Sequence, residues 1–254
     1  MRIAISGTAC QGKTTLIKDF LEQWPNYTTP KKTYRDIIKE NNLDHSSKTN
    51  KKTQKKILDF MIKEQKKYES RDNVIFDRCP LDNLVYSMWA TEQSDSDIDD
   101  KFVQSCIPKI RESFRNIDII FFTPITKVAP VTLEEDDLRD TNSKVIDEID
   151  NIFKAMHREY LNNDSSVFFV KDDKPGIIEI FGDRRERIEI VKLYIDAEGD
   201  GMAGGNLIDE DMLNNMKALS GVWGGVDPEE HSHLRKALEK QVKEDQQNKR
   251  NLYK

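Results

Sequence analysis

Residues 7–14 have the types and the spacing of a loop that binds phosphate groups. They read Gly-Thr-Ala-Cys-Gln-Gly-Lys-Thr and match the pattern G-x-x-x-x-G-K-[ST] at every fixed position. The glycines let the backbone curl until successive N–H groups point at one anion. Lys13 would reach the β- and γ-phosphates of a nucleoside triphosphate, and the Thr14 hydroxyl would ligate Mg²⁺. The motif therefore predicts a site for ATP and magnesium.

The residues expected to contact the nucleotide are the whole loop and the residue after it. They are Gly7, Thr8, Ala9, Cys10, Gln11, Gly12, Lys13, Thr14 and Thr15. An apolar run lies directly before the loop and a helical pattern directly after it, so the positive end of a helix would face the phosphates. This context separates the motif from a chance glycine turn that contains a lysine.

Asp77 and Arg78 are a second pair of residues whose side chains could take part in a reaction. They directly follow an apolar run at 73–76. A carboxylate at the C-terminal end of a parallel strand faces the ligand crevice. Asp77 would then lie across the magnesium from Thr14, where it would hold a water ligand or accept the proton of an acceptor hydroxyl. The alternative is a structural ion pair at the end of the strand.

The elements that must position these residues alternate along the chain. Short apolar runs predict strands at 2–6, 27–29, 73–76, 118–122 and 166–170. Periodic apolar residues predict helices at 14–24, 34–40, 52–70, 81–90, 101–114, 143–161 and 184–196. This alternation predicts an α/β fold, with a doubly wound, mainly parallel sheet of five strands and helices on both faces.

The character of the chain changes after residue 196. Seven of its eleven glycines lie at 199–225, which indicates a linker or an irregular segment. A polar helix is predicted at 228–248. We therefore expect a P-loop domain at 1–196, followed at 197–254 by a glycine-rich linker and a C-terminal helical extension.

The composition argues against a disulfide-rich secreted protein and against a membrane protein. The three cysteines have no zinc or haem spacing and are too few for a disulfide framework. No run of about 18 apolar residues occurs, and the first predicted strand leaves no room for a signal peptide. A cytoplasmic location is expected. The sequence does not indicate an oligomeric state.

The string Asp-Arg-Cys-Pro-Leu-Asp-Asn at 77–83, together with the loop, resembles the P-loop nucleoside and nucleotide kinases. That group includes thymidylate kinases, deoxynucleoside kinases and domains related to ribosylnicotinamide kinase, and the resemblance covers about residues 1–196. It implies transfer of the γ-phosphoryl group of ATP to a hydroxyl. It also implies that Asp77 serves as the base or the magnesium-side carboxylate and that Arg78 binds substrate or phosphate.

The sequence departs from these kinases in two respects, because it lacks a clear thymine-pocket motif and a tight arginine cluster in the lid. Arg139 and the arginines at 184–187 take the place of that cluster by analogy. Arg139 would stabilise charge on the transferred group or cap a surface helix, and Arg184 would contact adenine or ribose or lie on the surface of its helix. The catalytic residues implied are Lys13, Asp77, Arg78 and Arg139.

Positive charge is concentrated at residues 31–71. This basic stretch holds thirteen Lys or Arg and six Asp or Glu, a local charge of +7 in a chain whose net charge is −6. In the related kinases this part of the chain binds the acceptor, so the charge favours an anionic acceptor such as a nucleotide or DNA. A solvated helix face explains the same lysines. Nearby aromatic residues could stack on a base or pack in the core; they are Tyr27, Tyr34, Phe60 and Tyr68.

Three functions follow from these patterns. The most specific is phosphorylation of the hydroxymethyl group of 5-hydroxymethyluracil within bacteriophage DNA, in the cytoplasm of the host. The second is phosphorylation of a free nucleoside or nucleoside monophosphate. The third, from a different class, is a regulatory ATPase that changes partner binding when it hydrolyses ATP.

Overall fold

The computed structural model describes residues 1–45, 48–126, 142–157 and 175–201. Within these ranges the sheet has four parallel strands, β1 (Arg2–Ser6), β2 (Val74–Asp77), β3 (Ile119–Phe122) and β4 (Gly176–Glu179). Their order is β2-β1-β3-β4, so the first strand lies inside the sheet. The carboxyl ends of β1 and β2 are neighbours, which places the loop after β1 beside Asp77 and Arg78.

The sheet confirms the predicted fold class, although the described residues hold four strands rather than five. The strand expected at 27–29 is reduced to one parallel bridge between Thr28 and Val74, at the outer edge of β2. The strand expected at 166–170 lies outside the described residues. The sequence did not predict β4, which is partly exposed and lacks a continuous apolar run.

Seven helices accompany the strands in the described ranges, and each overlaps a predicted helix. They are α1 (Lys13–Gln23), α2 (Tyr34–Asn41), α3 (Lys51–Gln65), α4 (Pro80–Thr91), α5 (Asp100–Ser113), α6 (Ser143–Ala155) and α7 (Arg184–Val191). The end of the helix expected at 143–161 lies outside the described residues from 158 onward, and two other helices are shorter than predicted. The chain leaves the helix after Gln65 rather than at residue 70, and α7 gives way to a turn after Val191.

The two faces of the sheet bury different sets of side chains. One face packs Ala4, Phe76 and Phe122 against residues of α4, α5 and α6. The other packs Ile5, Phe121 and their neighbours against α1 and α7. Because side chains alternate across a strand, this division confirms helices on both faces. The helices α2 and α3 pack on each other through a smaller apolar cluster of their own.

The first residues after α7 remain attached to the domain. The Trp24 indole N–H donates to the Asp196 carbonyl oxygen at 2.7 Å, and the Tyr27 hydroxyl donates to the Gly199 carbonyl oxygen at 2.6 Å. The described fold thus continues to residue 201, past the expected boundary at 196. The linker beyond that residue and the helix expected at 228–248 lie outside the described ranges. Within those ranges no helix has the length and apolar character needed to span a membrane.

Candidate active site

The predicted phosphate-binding loop joins β1 to α1. Gly12 stands at the N-terminus of the helix with φ +67°, and Gly7 follows the strand with φ +139°. A Cβ atom on Gly7 would lie 2.6 Å from Oγ1 and 2.7 Å from the carbonyl oxygen of Thr123. Glycine is therefore required at position 7 by its backbone angle and by the close approach of the chain after β3.

The loop forms one end of a cavity of about 280 Å³. Residues from α2, α3, α4 and α6 line most of the rest of this cavity. They include Tyr34, Ile38, Gln54, Ile57, Asn83 and Tyr86. A site for phosphate groups and a wall of apolar, aromatic and amide side chains therefore share one continuous space, as expected if donor and acceptor meet there.

Lys13 lies in this cavity with only 4 % of its surface exposed. Its Nζ donates to the carbonyl oxygen of Thr8. Burial lowers the pKa of Lys13 well below its usual value, and the charge of Arg78 lowers it further. A buried cation whose direct partner is a neutral carbonyl would gain from an anionic ligand. Thr14 also lines the cavity and is exposed.

Arg78 lies under the loop and has a left-handed backbone, with φ +78°. Its Nη1 donates to the Gly7 carbonyl oxygen and to Asp82 Oδ1, each at 3.0 Å. Its Nη2 donates to the Tyr86 hydroxyl at 3.1 Å. The buried guanidinium thus joins the start of the loop to α4. The contact of Arg78 with substrate or phosphate, expected from the resemblance, stays a prediction.

Asp82 is a site residue that the sequence reasoning did not single out. It is completely buried and accepts hydrogen bonds from the backbone N–H of Gly7 at 3.2 Å and of Cys79 at 3.0 Å. It also forms the ion pair with Arg78. The signal was an aspartate three residues into a helix that starts with Cys-Pro, which forms a capping box at the start of α4.

Asp77 lies at the end of β2 as predicted, and its Oδ2 accepts from Arg35 Nη1 at 3.1 Å. Its other oxygen, Oδ1, is buried and has no hydrogen-bond partner among the described residues. Asp77 lines a smaller pocket of about 30 Å³, which shares Tyr34 and Arg78 with the main cavity. Arg35, which the sequence reasoning did not name as a site residue, lines the main cavity itself.

The donor set fits a magnesium ion that is held mainly by the nucleotide. Within the described ranges, no group of three or more His, Cys, Asp or Glu could hold a metal. Mg²⁺ in kinase sites commonly takes one or two protein oxygens, together with phosphate oxygens and water. The exposed hydroxyl of Thr14 and the unpartnered Asp77 Oδ1 are suitable oxygens. The magnesium role of these two residues stays a prediction.

The arginines expected near the nucleotide have different environments. Arg184 is exposed, and its Nε donates to Asp19 Oδ2 of α1 at 3.0 Å rather than lining the cavity. Arg187, in contrast, is buried and donates to the carbonyl oxygen of Gln11 in the loop at 2.6 Å. Arg139 lies outside the described residues. The predicted contact of Arg184 with adenine or ribose stays a prediction.

The lysines of the basic stretch lie on the outside of α2, α3 and the adjoining turns. Several form ion pairs with carboxylates, including Lys32 with Glu40 at 2.6 Å and Lys51 with Asp99 at 2.8 Å. Where the stretch is described, Arg35 is its only Lys or Arg that lines the main cavity, and Tyr34 is the only one of the four aromatic candidates that does.

Comparison with known proteins agrees with this geometry. A family model described as an AAA domain matches residues 2–170. No curated protein matches the sequence. A structure of the NadR protein in complex with NR has a TM-score of 0.54 and 12 % identity over 80 % of this chain. The chain spans about half of that structure, 53 % of its length.

A deoxyadenosine kinase from M. mycoides, whose structure contains dCMP and dCDP, is similar over most of its length. The TM-score is 0.50 and the identity 16 %, over 75 % of this chain and 96 % of that kinase. At these identities the likeness concerns the fold. The expected resemblance to P-loop nucleoside kinases is confirmed at that level.

Proposed function

We propose that this chain, which belongs to the AAA-domain family, is an ATP-dependent phosphotransferase. It would phosphorylate a hydroxyl group of a nucleoside-like acceptor. The observation that carries this proposal is one continuous cavity, with the phosphate-binding loop at one end and apolar, aromatic and amide side chains along the rest of its wall. Side chains of these types can bind the sugar and base of an acceptor next to the phosphate groups.

The residues around the loop have separate tasks in the proposed reaction. Lys13 and the N–H groups of the loop bind the β- and γ-phosphates. Thr14 and Asp77 would hold Mg²⁺, which would supply positive charge next to the phosphate oxygens. Asp77 is also the best candidate to accept the proton of the acceptor hydroxyl, because one of its oxygens lacks a hydrogen-bond partner.

The charges on the part of the cavity wall away from the loop favour a neutral nucleoside over a nucleoside monophosphate as the acceptor. Its two described arginines, Arg35 and Arg78, are each paired with a carboxylate, Asp77 and Asp82 respectively. A second phosphate group in this wall would therefore meet cations that are already neutralised, and it would have to compete with their partners. A hydroxyl carried by an uncharged sugar or base avoids that competition.

A second candidate acceptor is 5-hydroxymethyluracil within DNA. The observation that favours it is a pair of exposed lysines on α3, a helix whose other face lines the cavity. Lys52 and Lys63 are exposed, and neither forms an ion pair within the described parts of the chain. Such side chains could contact DNA phosphates while one base leaves the duplex and enters the cavity.

A panel of acceptors tests the proposal and separates its two forms. The full chain is incubated with Mg²⁺ and ATP labelled at the γ-phosphate, and with nucleosides, nucleoside monophosphates or DNA that contains 5-hydroxymethyluracil. Labelled nucleoside monophosphate is the expected product. Incorporation of label into DNA would favour the second candidate. That incorporation should be lost at high salt and reduced in the double variant Lys52→Gln with Lys63→Gln. Label only in inorganic phosphate would overturn both.

A further inference from the structure

Arg187 connects α7, the last described helix, to the backbone of the phosphate-binding loop. Only 6 % of its surface is exposed. Its Nη1 donates to the carbonyl oxygen of Gln11 at 2.6 Å, and its Nε donates to the carbonyl oxygen of Gly182 at 2.9 Å. Both acceptors are backbone oxygens without a formal charge. The guanidinium therefore makes direct contact with the loop but does not line the main cavity.

The positive charge of Arg187 has no direct counter-charge in the described parts of the chain. No carboxylate there forms an ion pair with it, and Asp183 acts on it only through longer-range attraction. Burial lowers the pKa of Arg187. Arg184, one turn earlier on the same helix, differs because it is exposed and paired with Asp19.

Lys13, at the other side of the same loop, is in a similar position. It is buried, and its hydrogen bond goes to the carbonyl oxygen of Thr8 rather than to a carboxylate. Two buried cations therefore contact the backbone of one short loop through neutral oxygens. Buried charges without partners are unfavourable. An anion bound in the loop would therefore stabilise both cations.

We propose that Arg187 is a positioning residue for the nucleotide, which fixes the loop through Gln11 and supplies a buried positive charge whose counter-charge is the triphosphate. This inference rests on the proposed function, because it requires that a nucleoside triphosphate binds in the loop. The chemistry selects for phosphate charge rather than for adenine, so affinity should depend on Arg187 more strongly as the number of phosphates increases.

Two substitutions separate a charge effect from a simple hydrogen-bonded connection. Arg187→Gln keeps an uncharged N–H donor on a shorter side chain, whereas Arg187→Lys keeps the charge on a side chain that reaches further. If the residue only holds the helix to the loop, each variant should weaken the binding of ATP and AMP by the same factor. If the charge matters, lysine should retain much more of the affinity for ATP.

The experiment is calorimetric titration of the full chain with ATP, ADP and AMP. Arg187→Gln should weaken ATP binding by about ten- to a hundredfold and AMP binding by less than about threefold, since only the phosphate interaction is lost. Arg187→Lys should recover most of the ATP affinity. The matched control is Lys192→Gln, an exposed cation just after the same helix, which should bind ATP like the wild type.

The outcomes distinguish this inference from the function on which it rests. Equal losses for ATP and AMP, or a glutamine variant that binds ATP as well as the lysine variant, would overturn the charge role of Arg187 and leave the proposed kinase activity standing. A wild-type protein that binds no ATP would overturn the proposed function, and the inference with it. Thermal unfolding of each variant without nucleotide confirms that it is folded.

Discussion

Replacing Asp82 by alanine should destabilise the protein far more than replacing an exposed carboxylate. Asp82 is completely buried and accepts four hydrogen bonds, from the Arg78 guanidinium, the backbone N–H groups of Gly7 and Cys79, and the Cys79 thiol. Without the carboxylate, Arg78 would remain as a buried cation whose direct contacts are neutral oxygens and aromatic rings.

The expected loss follows from these contacts. Removing one partner of a buried ion pair costs about 3–5 kcal/mol. Losing the acceptor at the start of α4 adds about 1 kcal/mol, as for other helix caps. The free energy of unfolding should therefore fall by about 4–6 kcal/mol, and the Tm by about 10–20 °C for a chain of this size.

Urea unfolding followed by circular dichroism, without nucleotide, measures this loss. The matched control is Asp99→Ala, because Asp99 also caps a helix and pairs with a lysine but is exposed. That variant should lose only about 1 kcal/mol. The double variant Arg78→Met with Asp82→Leu should be more stable than Asp82→Ala, since no charge is left unpaired. A loss for Asp82→Ala no larger than that of Asp99→Ala would refute the reasoning.

Three further predictions concern the loop, the base and the segment after α7. Gly7→Ala should abolish ATP binding in a titration, because its Cβ would meet Thr123 at 2.6 Å; unchanged affinity would contradict the loop geometry. Asp77→Asn should lower turnover by about a hundredfold or more in a variant that still unfolds cooperatively on heating, and near-normal turnover would exclude Asp77 as the base. Burial raises the pKa of Tyr27. The folded protein therefore keeps a proton that the unfolded chain releases above about pH 10, so the free energy of unfolding should decrease as the pH rises above that value. Tyr27→Phe should lose about 1 kcal/mol at neutral pH with its hydrogen bond to Gly199, yet show a flatter decline in urea midpoint between about pH 9 and pH 11. Parallel pH curves for the two proteins would contradict the burial of this hydroxyl.

The parts of the fold that the sequence predicted correctly are those that local chemistry determines. The loop at 7–14 needs left-handed backbone angles at fixed positions, and glycines at those positions are visible in the sequence. The strands β1, β2 and β3 are short apolar runs because both faces of the sheet are covered. β4 was missed because its residues are partly exposed, so burial imposes no apolar run on it.

The parts that the sequence could not predict depend on contacts between distant elements. Asp82 became a site residue because α4 starts directly under the loop, which brings its carboxylate to Gly7, 75 residues earlier. The ion pairs of the basic stretch could not be predicted for a similar reason. Lys51 and Lys66 pair with Asp99 and Glu112, which lie outside the stretch and were not part of its charge balance.

The stoichiometry of ADP formation and acceptor phosphorylation tests the central claim most directly. The full chain is incubated with Mg²⁺, ATP and a mixture of nucleosides, and ADP, phosphate and nucleoside monophosphates are measured by mass spectrometry over time. A phosphotransferase should form ADP and phosphorylated nucleoside in equal amounts, and ADP should nearly stop forming when the nucleosides are left out. ADP that forms at the same rate with and without nucleosides, matched only by inorganic phosphate, would show an ATPase and contradict the account.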